Sequence, residues 1–240
     1  MRSERSEAPS YAQDQAYFNR YAEGYSPYTA GDLDLVLTDL LDAVSSTSLS
    51  RVCEIGCADG QFSAELVRRL GDRQPGTFVG LDIAQEVLKR FPFARLCASA
   101  FEVPLPAHSL DALCYVGSLH HLAPFPAALA EAMRVLKPGG LLYMLEPNAL
   151  HPQRRLFMSR PALYRWYRDA NDTPIDPYEL KTQLEGLGMK TLALRFVTIA
   201  FREPGVFQRI QNALSAVPWP AAMRPYVSPW FVLLARKGEH

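Results

Sequence analysis

Neither sign of charge predominates in this chain of 240 residues, where 25 Lys and Arg stand against 25 Asp and Glu. The balance gives no electrostatic reason to expect duplex DNA or an anionic membrane as partner. Long hydrophobic runs are missing as well. Apolar stretches such as Leu141 to Leu145 fall far short of the roughly 20 residues that cross a bilayer, so stable membrane insertion is not expected. The opening MRSERSEAPS lacks the apolar segment of a secretory signal. Cysteine is scarce: Cys53, Cys57, Cys97 and Cys114 sit in or beside apolar, strand-like runs, where a thiol behaves as a small hydrophobe rather than as half of a disulfide. A reducing, cytoplasmic setting is the expectation. His108, His151 and His240 are dispersed without the short spacing of a metal site, and no metal is expected.

What remains is the composition of a folded globular protein, 48% apolar and 21% charged, long enough for one large domain. Leu33, Val36, Leu37, Leu40 and Val44 recur at helical spacing. From there strands and helices alternate. Strands are expected at Arg51–Ile55, Thr77–Leu81, Ala94–Cys97, Ala112–Val116 and Leu141–Leu145, with helices at about Gln61–Leu70, after Ile83, and at Pro126–Leu136. Such alternation predicts an α/β fold with a mostly parallel sheet covered on both faces. Pro147 to Pro177 breaks the rhythm and reads as an insertion over the carboxyl edge of the sheet. Beyond it come a helix at Tyr178–Leu187, a strand at Met189–Ala200, a helix at Phe207–Leu214 and a last strand at Pro229–Ala235. The expected organisation is one domain: residues 1–46 as a helical lid, 47–147 as the cofactor half, 148–177 as a cover and 178–240 as the rest of the sheet.

The run Glu54-Ile55-Gly56-Cys57-Ala58-Asp59-Gly60 puts two glycines between the first strand and its helix. Gly56 lets a ligand approach the backbone, and Gly60 lets the helix start close to the strand. The second strand ends in Asp82, a carboxylate able to accept both hydroxyls of a ribose. A dinucleotide would put pyrophosphate on this turn, and Glu54 and Asp59 would repel it. A zwitterion carrying an ammonium group suits the loop better.

On these residues the chain resembles the class I S-adenosylmethionine-dependent methyltransferases, most nearly the bacterial small-molecule group that includes ubiquinone and sugar methyltransferases. Five landmarks appear in order between Val52 and Asn148: the glycine loop, Gly80-Leu81-Asp82-Ile83, the stretch from Ala98 to Pro106, Leu119-His120-His121-Leu122, and Leu136-Lys137-Pro138-Gly139-Gly140. The resemblance implies a Rossmann-like sheet of seven strands with an antiparallel last strand, and S-adenosyl-L-methionine as cofactor. It implies that Gly56 faces the methionine moiety, Asp82 takes the ribose hydroxyls, Ile83 packs on adenine and the backbone of Ala100 reads the ring. Glu54, Gly60 and Val116 complete that side of the site. Ser99 departs from the family pattern, which has Asp there; a hydroxyl still accepts a hydrogen bond, without charge assistance. Tyr17 and Tyr21, in an aromatic-rich N-terminal stretch with Tyr28, are expected to cross the cofactor as a lid.

Methyl transfer from a sulfonium needs alignment first, and a base only where the acceptor must lose a proton. The positions matching His120, His121 and Glu146 line the acceptor pocket in similar enzymes, and His120 is the first choice of base, with structural roles for the pair as the alternative. Arg154, Arg155, Arg160, Arg165 and Arg168 in the insertion either grip an anionic acceptor or an acidic carrier protein, or form a solvated face. Tyr115-Val116-Gly117-Ser118 lacks the Pro-Pro run that holds a flipped base, and no Pro-Cys pair supplies a cytosine nucleophile, which leaves no nucleic acid and a small-molecule acceptor methylated at O, N or C; the aromatics of the cover favour one that is flat or partly apolar. The competing readings are an NAD-dependent oxidoreductase and a non-catalytic module that only binds the cofactor.

Overall fold

The computed structural model describes residues 11–20, 28–45, 49–160, 172–199, 209–210, 212–213 and 217–239. Seven strands, β1 (Arg51–Ile55), β2 (Thr77–Asp82), β3 (Ala94–Cys97), β4 (Leu110–Val116), β5 (Leu136–Pro147), β6 (Met189–Val197) and β7 (Trp230–Lys237), form one sheet in the order β3-β2-β1-β4-β5-β7-β6. The first five run parallel, and β7 is antiparallel to both of its neighbours. This is the seven-stranded sheet with an antiparallel last strand that the family resemblance implies.

Period-two alternation explains how one sheet builds two cores. Val52, Cys114 and Tyr143 face one side with Leu37, Leu40, Phe62 and Leu66 of α2 (Ala30–Ala43) and α3 (Gln61–Leu70). Their neighbours Cys53, Leu113 and Met144 face the other side with Leu129, Ala132, Leu180 and Leu184 of α5 (Phe125–Val135) and α7 (Pro177–Gly186). Helix α2 starts at a capping box: Thr29 Oγ1 accepts from Asp32 N at 3.1 Å, and Asp32 Oδ2 accepts from Thr29 N at 2.8 Å. The Tyr143 hydroxyl donates to Val36 O across the layer at 2.8 Å.

Some expectations need adjustment. The helix after Ile83 is a single turn, α4 (Gln85–Leu88), because Phe91, buried at the next bend, draws the chain back towards β3. Strand β5 begins at Leu136 and extends to Pro147, well beyond Leu141–Leu145, since Leu136 already pairs with Leu110. Cys97 is exposed on the edge strand β3, whereas Cys53, Cys57 and Cys114 are buried. Half of the helix expected at residues 207–214 lies outside the described residues, and residues 209–210 and 212–213 are helical. No helix among the described residues is long and apolar enough to cross a membrane.

Candidate active site

All five parallel strands end at one edge, and the loops that follow them bring the chemistry together. After β1 the chain turns at Gly56, in the left-handed region at φ 69°, with its N–H donating to Leu81 O at the end of β2 at 2.7 Å. A Cβ at Gly56 would stand 2.4 Å from Ser118 Cβ, so the glycine is required by the approach of the β4 loop. Gly60 is equally constrained by protein, because a Cβ there would meet the Phe91 ring at 2.7 Å. Ser118 Oγ donates to Ile55 O at 2.7 Å and ties the glycine turn to the histidine turn.

Asp82 closes β2 with one carboxylate oxygen accepting from Ala58 N at 2.9 Å and the other from Ala84 N at 2.8 Å. Burial raises its pKa, against the pull of those two N–H groups. Each oxygen keeps a lone pair, which is what a vicinal diol requires. Ile83 follows, its carbonyl accepting from Gln15 Nε2 of α1 (Tyr11–Asn19) at 2.9 Å. Ser99 and Ala100 lie just beyond β3, where Ala98 N donates to Asp82 O at 3.1 Å; Ser99 Oγ accepts from Phe101 N at 3.2 Å and Ala100 is buried. Val116 is buried at the end of β4. Tyr17 packs edge-on against Phe18 within α1, and Tyr21 lies outside the described residues.

Glu54 is placed differently from the rest. Alternation along β1 turns it to the α3 face, where Ser63 Oγ donates to its carboxylate, and it is only 3% exposed. Burial pushes its pKa up to about 8, with the negative charges of Asp82 and Asp59 adding to the rise and the Ser63 bond opposing it. It stands behind the loop.

The turn after β4, a single 3₁₀ turn at Leu119–His121, carries the two imidazoles. Glu146, fully buried on β5, accepts from Ser118 N at 3.1 Å, Leu119 N at 2.8 Å and His120 N at 3.4 Å, and its Oε2 lies 2.6 Å from His120 Nδ1. Burial pushes Glu146 up to about 7, opposed by those backbone donors and by the neighbouring His121. A second carboxylate arrives from the far end of the insertion. Asp172, its side chain fully buried, has Oδ1 3.1 Å from His121 Nδ1 and 4.0 Å from His120 Nε2, while Oδ2 lies 3.3 Å from Arg154 Nη2 of α6 (Pro152–Met158). Burial works to raise Asp172, but His121, His120 and Arg154 outweigh it and hold the carboxyl well below its usual range. Thr173 N donates to His120 O at 2.7 Å and Ala149 N donates to Ile175 O at 3.1 Å, which lash the insertion to this edge.

Four of the groups therefore form a chain of alternating carboxylates and imidazoles: Glu146, His120, Asp172, His121. His120, His121 and Asp172 bring ligand atoms within 4.8 Å of one another, a spacing that a divalent cation can bridge, and the expectation of no metal took no account of Asp172. The Arg154 guanidinium already sits against Asp172, and its charge would oppose that of a cation there. A cleft at the opposite edge of the sheet, lined among others by Val67, Gln74, Phe78 and Phe93, carries no titratable group.

Asp172 is the residue that the sequence did not point to; Arg154, one of the insertion's arginines singled out there, is paired with it. The cue was slight: Asp172 is one of three acids, with Asp169 and Asp176, that follow a run of arginines and aromatics in the insertion. Arg165 and Arg168 lie outside the described residues, and Arg155 and Arg160 are exposed.

Residues 53–144 match the family model for a methyltransferase domain. The chain is 28% identical over 209 residues to demethylmenaquinone methyltransferase of Tropheryma whipplei, covering 75% of this chain and 84% of that one. It is 31% identical over 132 residues to fatty-acid O-methyltransferase of Mycolicibacterium smegmatis, covering 52% of this chain and 43% of the other. Similar folds include a SAM-dependent methyltransferase from Archaeoglobus fulgidus, with a TM-score of 0.59 and 20% identity over 92% of this chain and 99% of that one. Another is the [4+2]-cyclase SpnF, with a TM-score of 0.66 and 18% identity over 97% and 98%. Sheet order and these similar structures show the class I methyltransferase fold, and residues 53–144 carry the methyltransferase-domain match. Methyl transfer is the activity that the matched domain and the named relatives share, and S-adenosyl-L-methionine is the cofactor it implies.

Proposed function

We propose that the enzyme methylates a small molecule that is flat or partly apolar and presents an ionisable oxygen. The observation that carries this reading is the convergence of two imidazole–carboxylate pairs beside the glycine turn, an arrangement suited to an acceptor that must lose a proton. The names of two relatives, demethylmenaquinone methyltransferase and fatty-acid O-methyltransferase, support the apolar part of this reading.

S-adenosylmethionine supplies an electrophilic methyl group. Asp82 would hold the ribose diol, Ile83, Ser99 and Ala100 the adenine end, and Gly56 and Val116 the methionine end, with Tyr17 in the cover. The acceptor then lies between the histidine turn, α1 and the insertion, where apolar walls exclude water and keep its oxygen in line with the methyl.

The test is calorimetry with S-adenosylmethionine and with NAD, followed by mass spectrometry of mixtures containing 1,4-naphthohydroquinone, a long-chain fatty acid, a sugar or an amine. Binding of S-adenosylmethionine alone, with methylation of the hydroquinone or the fatty acid, is the expected result. Methylation confined to the amine, or binding of NAD, would overturn the reading.

A further inference from the structure

We infer that the proton acceptor is His121, oriented by Asp172 from the insertion, while His120 and Glu146 form the rigid base on which that pair stands. This rests on the methyl-transfer reading above and names the residue that takes the proton.

Three observations separate the two histidines. His120 is 2% exposed and its Nδ1 is committed to Glu146 at 2.6 Å; its other nitrogen, Nε2, faces Asp172 at 4.0 Å, so both ring nitrogens point at carboxylates. His121 sits at the outer end of the chain, with its side chain 16% exposed and Nδ1 turned inward to Asp172 at 3.1 Å. Its outer face meets the Phe18 ring of α1 at 5.2 Å, edge-on, under the same helix that reaches Ile83 through Gln15. The imidazole thus stands below the helix that spans the cofactor side, with Nε2 directed away from its carboxylate.

The Nδ1 contact is at ion-pair distance but not in line for a hydrogen bond. Catalytic hydrogen bonds commonly tighten only when substrate is bound. The charged groups facing His121 are Asp172 directly, Arg154 behind Asp172, and Glu146 beyond the tilted His120 ring, whose centroid lies 3.9 Å away. Asp172 therefore selects the tautomer with hydrogen on Nδ1 and a lone pair on Nε2, and it stabilises the imidazolium once formed. In the transfer step, the acceptor oxygen forms its bond to the methyl carbon and the O–H proton passes to Nε2 of His121. The methyl–sulfur bonding pair stays on sulfur, which leaves as a neutral thioether.

The first arm of the test needs no acceptor. In the full chain labelled with ¹⁵N-histidine and saturated with S-adenosylhomocysteine, neutral His121 should show hydrogen on Nδ1. Asp172→Asn should mix its tautomers. His121 shifts that Asp172→Asn leaves unmoved, or hydrogen held on Nε2, would overturn the assignment. The second arm uses 1,4-naphthohydroquinone. His121→Gln should lower kcat by ~10² to 10⁴ with S-adenosylmethionine affinity within about twofold of the parent, the loss shrinking at alkaline pH as the hydroquinone ionises by itself. A divalent metal that copurifies stoichiometrically with the parent, and not with Asp172→Asn, overturns the proposal in favour of a metal site. Failure of S-adenosylhomocysteine to bind sinks the methyl-transfer reading instead, so the two failures are distinguishable.

Discussion

Glu54, buried against Ser63 behind the glycine loop, couples protonation to stability. Its carboxyl ordinarily titrates near 4.5 and is pushed up to about 8 by burial. Between those values the folded protein holds a proton that the unfolded chain has released, so stability should fall as pH rises through that window, by at most ~1.4 kcal/mol per pH unit. Glu54→Gln keeps an oxygen for Ser63 and should flatten that slope, checked by urea midpoints at about pH 5 and about pH 8. Asp82 is the contrasting case, a carboxylate with lone pairs to spare at the strand end. Asp82→Ala should weaken S-adenosylmethionine by at least ~tenfold in calorimetry, since each charge-assisted hydrogen bond lost is worth ~1.5 to 3 kcal/mol at most. Ser99→Asp tests the neighbouring departure from the family pattern. If the hydroxyl stands in for a charged acceptor, affinity should rise; unchanged or weaker binding would mean that adenine is held by other groups.

At the scale of elements, β5 acts through one residue on a turn it does not contain. Glu146 collects three backbone N–H groups and an imidazole from the turn after β4. Glu146→Ala strands those donors in the interior and should cost ~3 to 5 kcal/mol of stability, whereas Glu146→Gln retains an acceptor and should cost less, as denaturant melts would show. Strands and long helices were legible because alternation and helical spacing are local, and Gly56, Asp82 and Glu146 were legible because each terminates or follows a strand. Asp172 was not. It reaches His121 only because the insertion leaves β5, passes α6 and returns over the carboxyl edge through the Thr173 and Ile175 backbone bonds, a path with no periodic signature. The burial of His120 against the exposure of His121 was hidden for the same reason, since neighbouring residues on a tight turn differ in environment only once the turn is seated.

For the whole molecule, cofactor and stability should be linked. Saturation with S-adenosylhomocysteine at about 100 times its Kd should add ~2.7 kcal/mol and raise Tm by a few degrees, with no comparable shift from NAD. The sheet order carries a consequence for synthesis. Strand β7 lies between β5 and β6, yet the ribosome makes it after both. Until it emerges, the inner edge of β5 offers a row of unpaired backbone groups flanked by the apolar Leu142, Met144 and Leu145, the kind of template on which chains join one another. A nascent chain halted before Trp230 would therefore be sticky rather than merely incomplete, and a nonsense change in the final strand should surface in the cell as aggregate, not as a weakened enzyme.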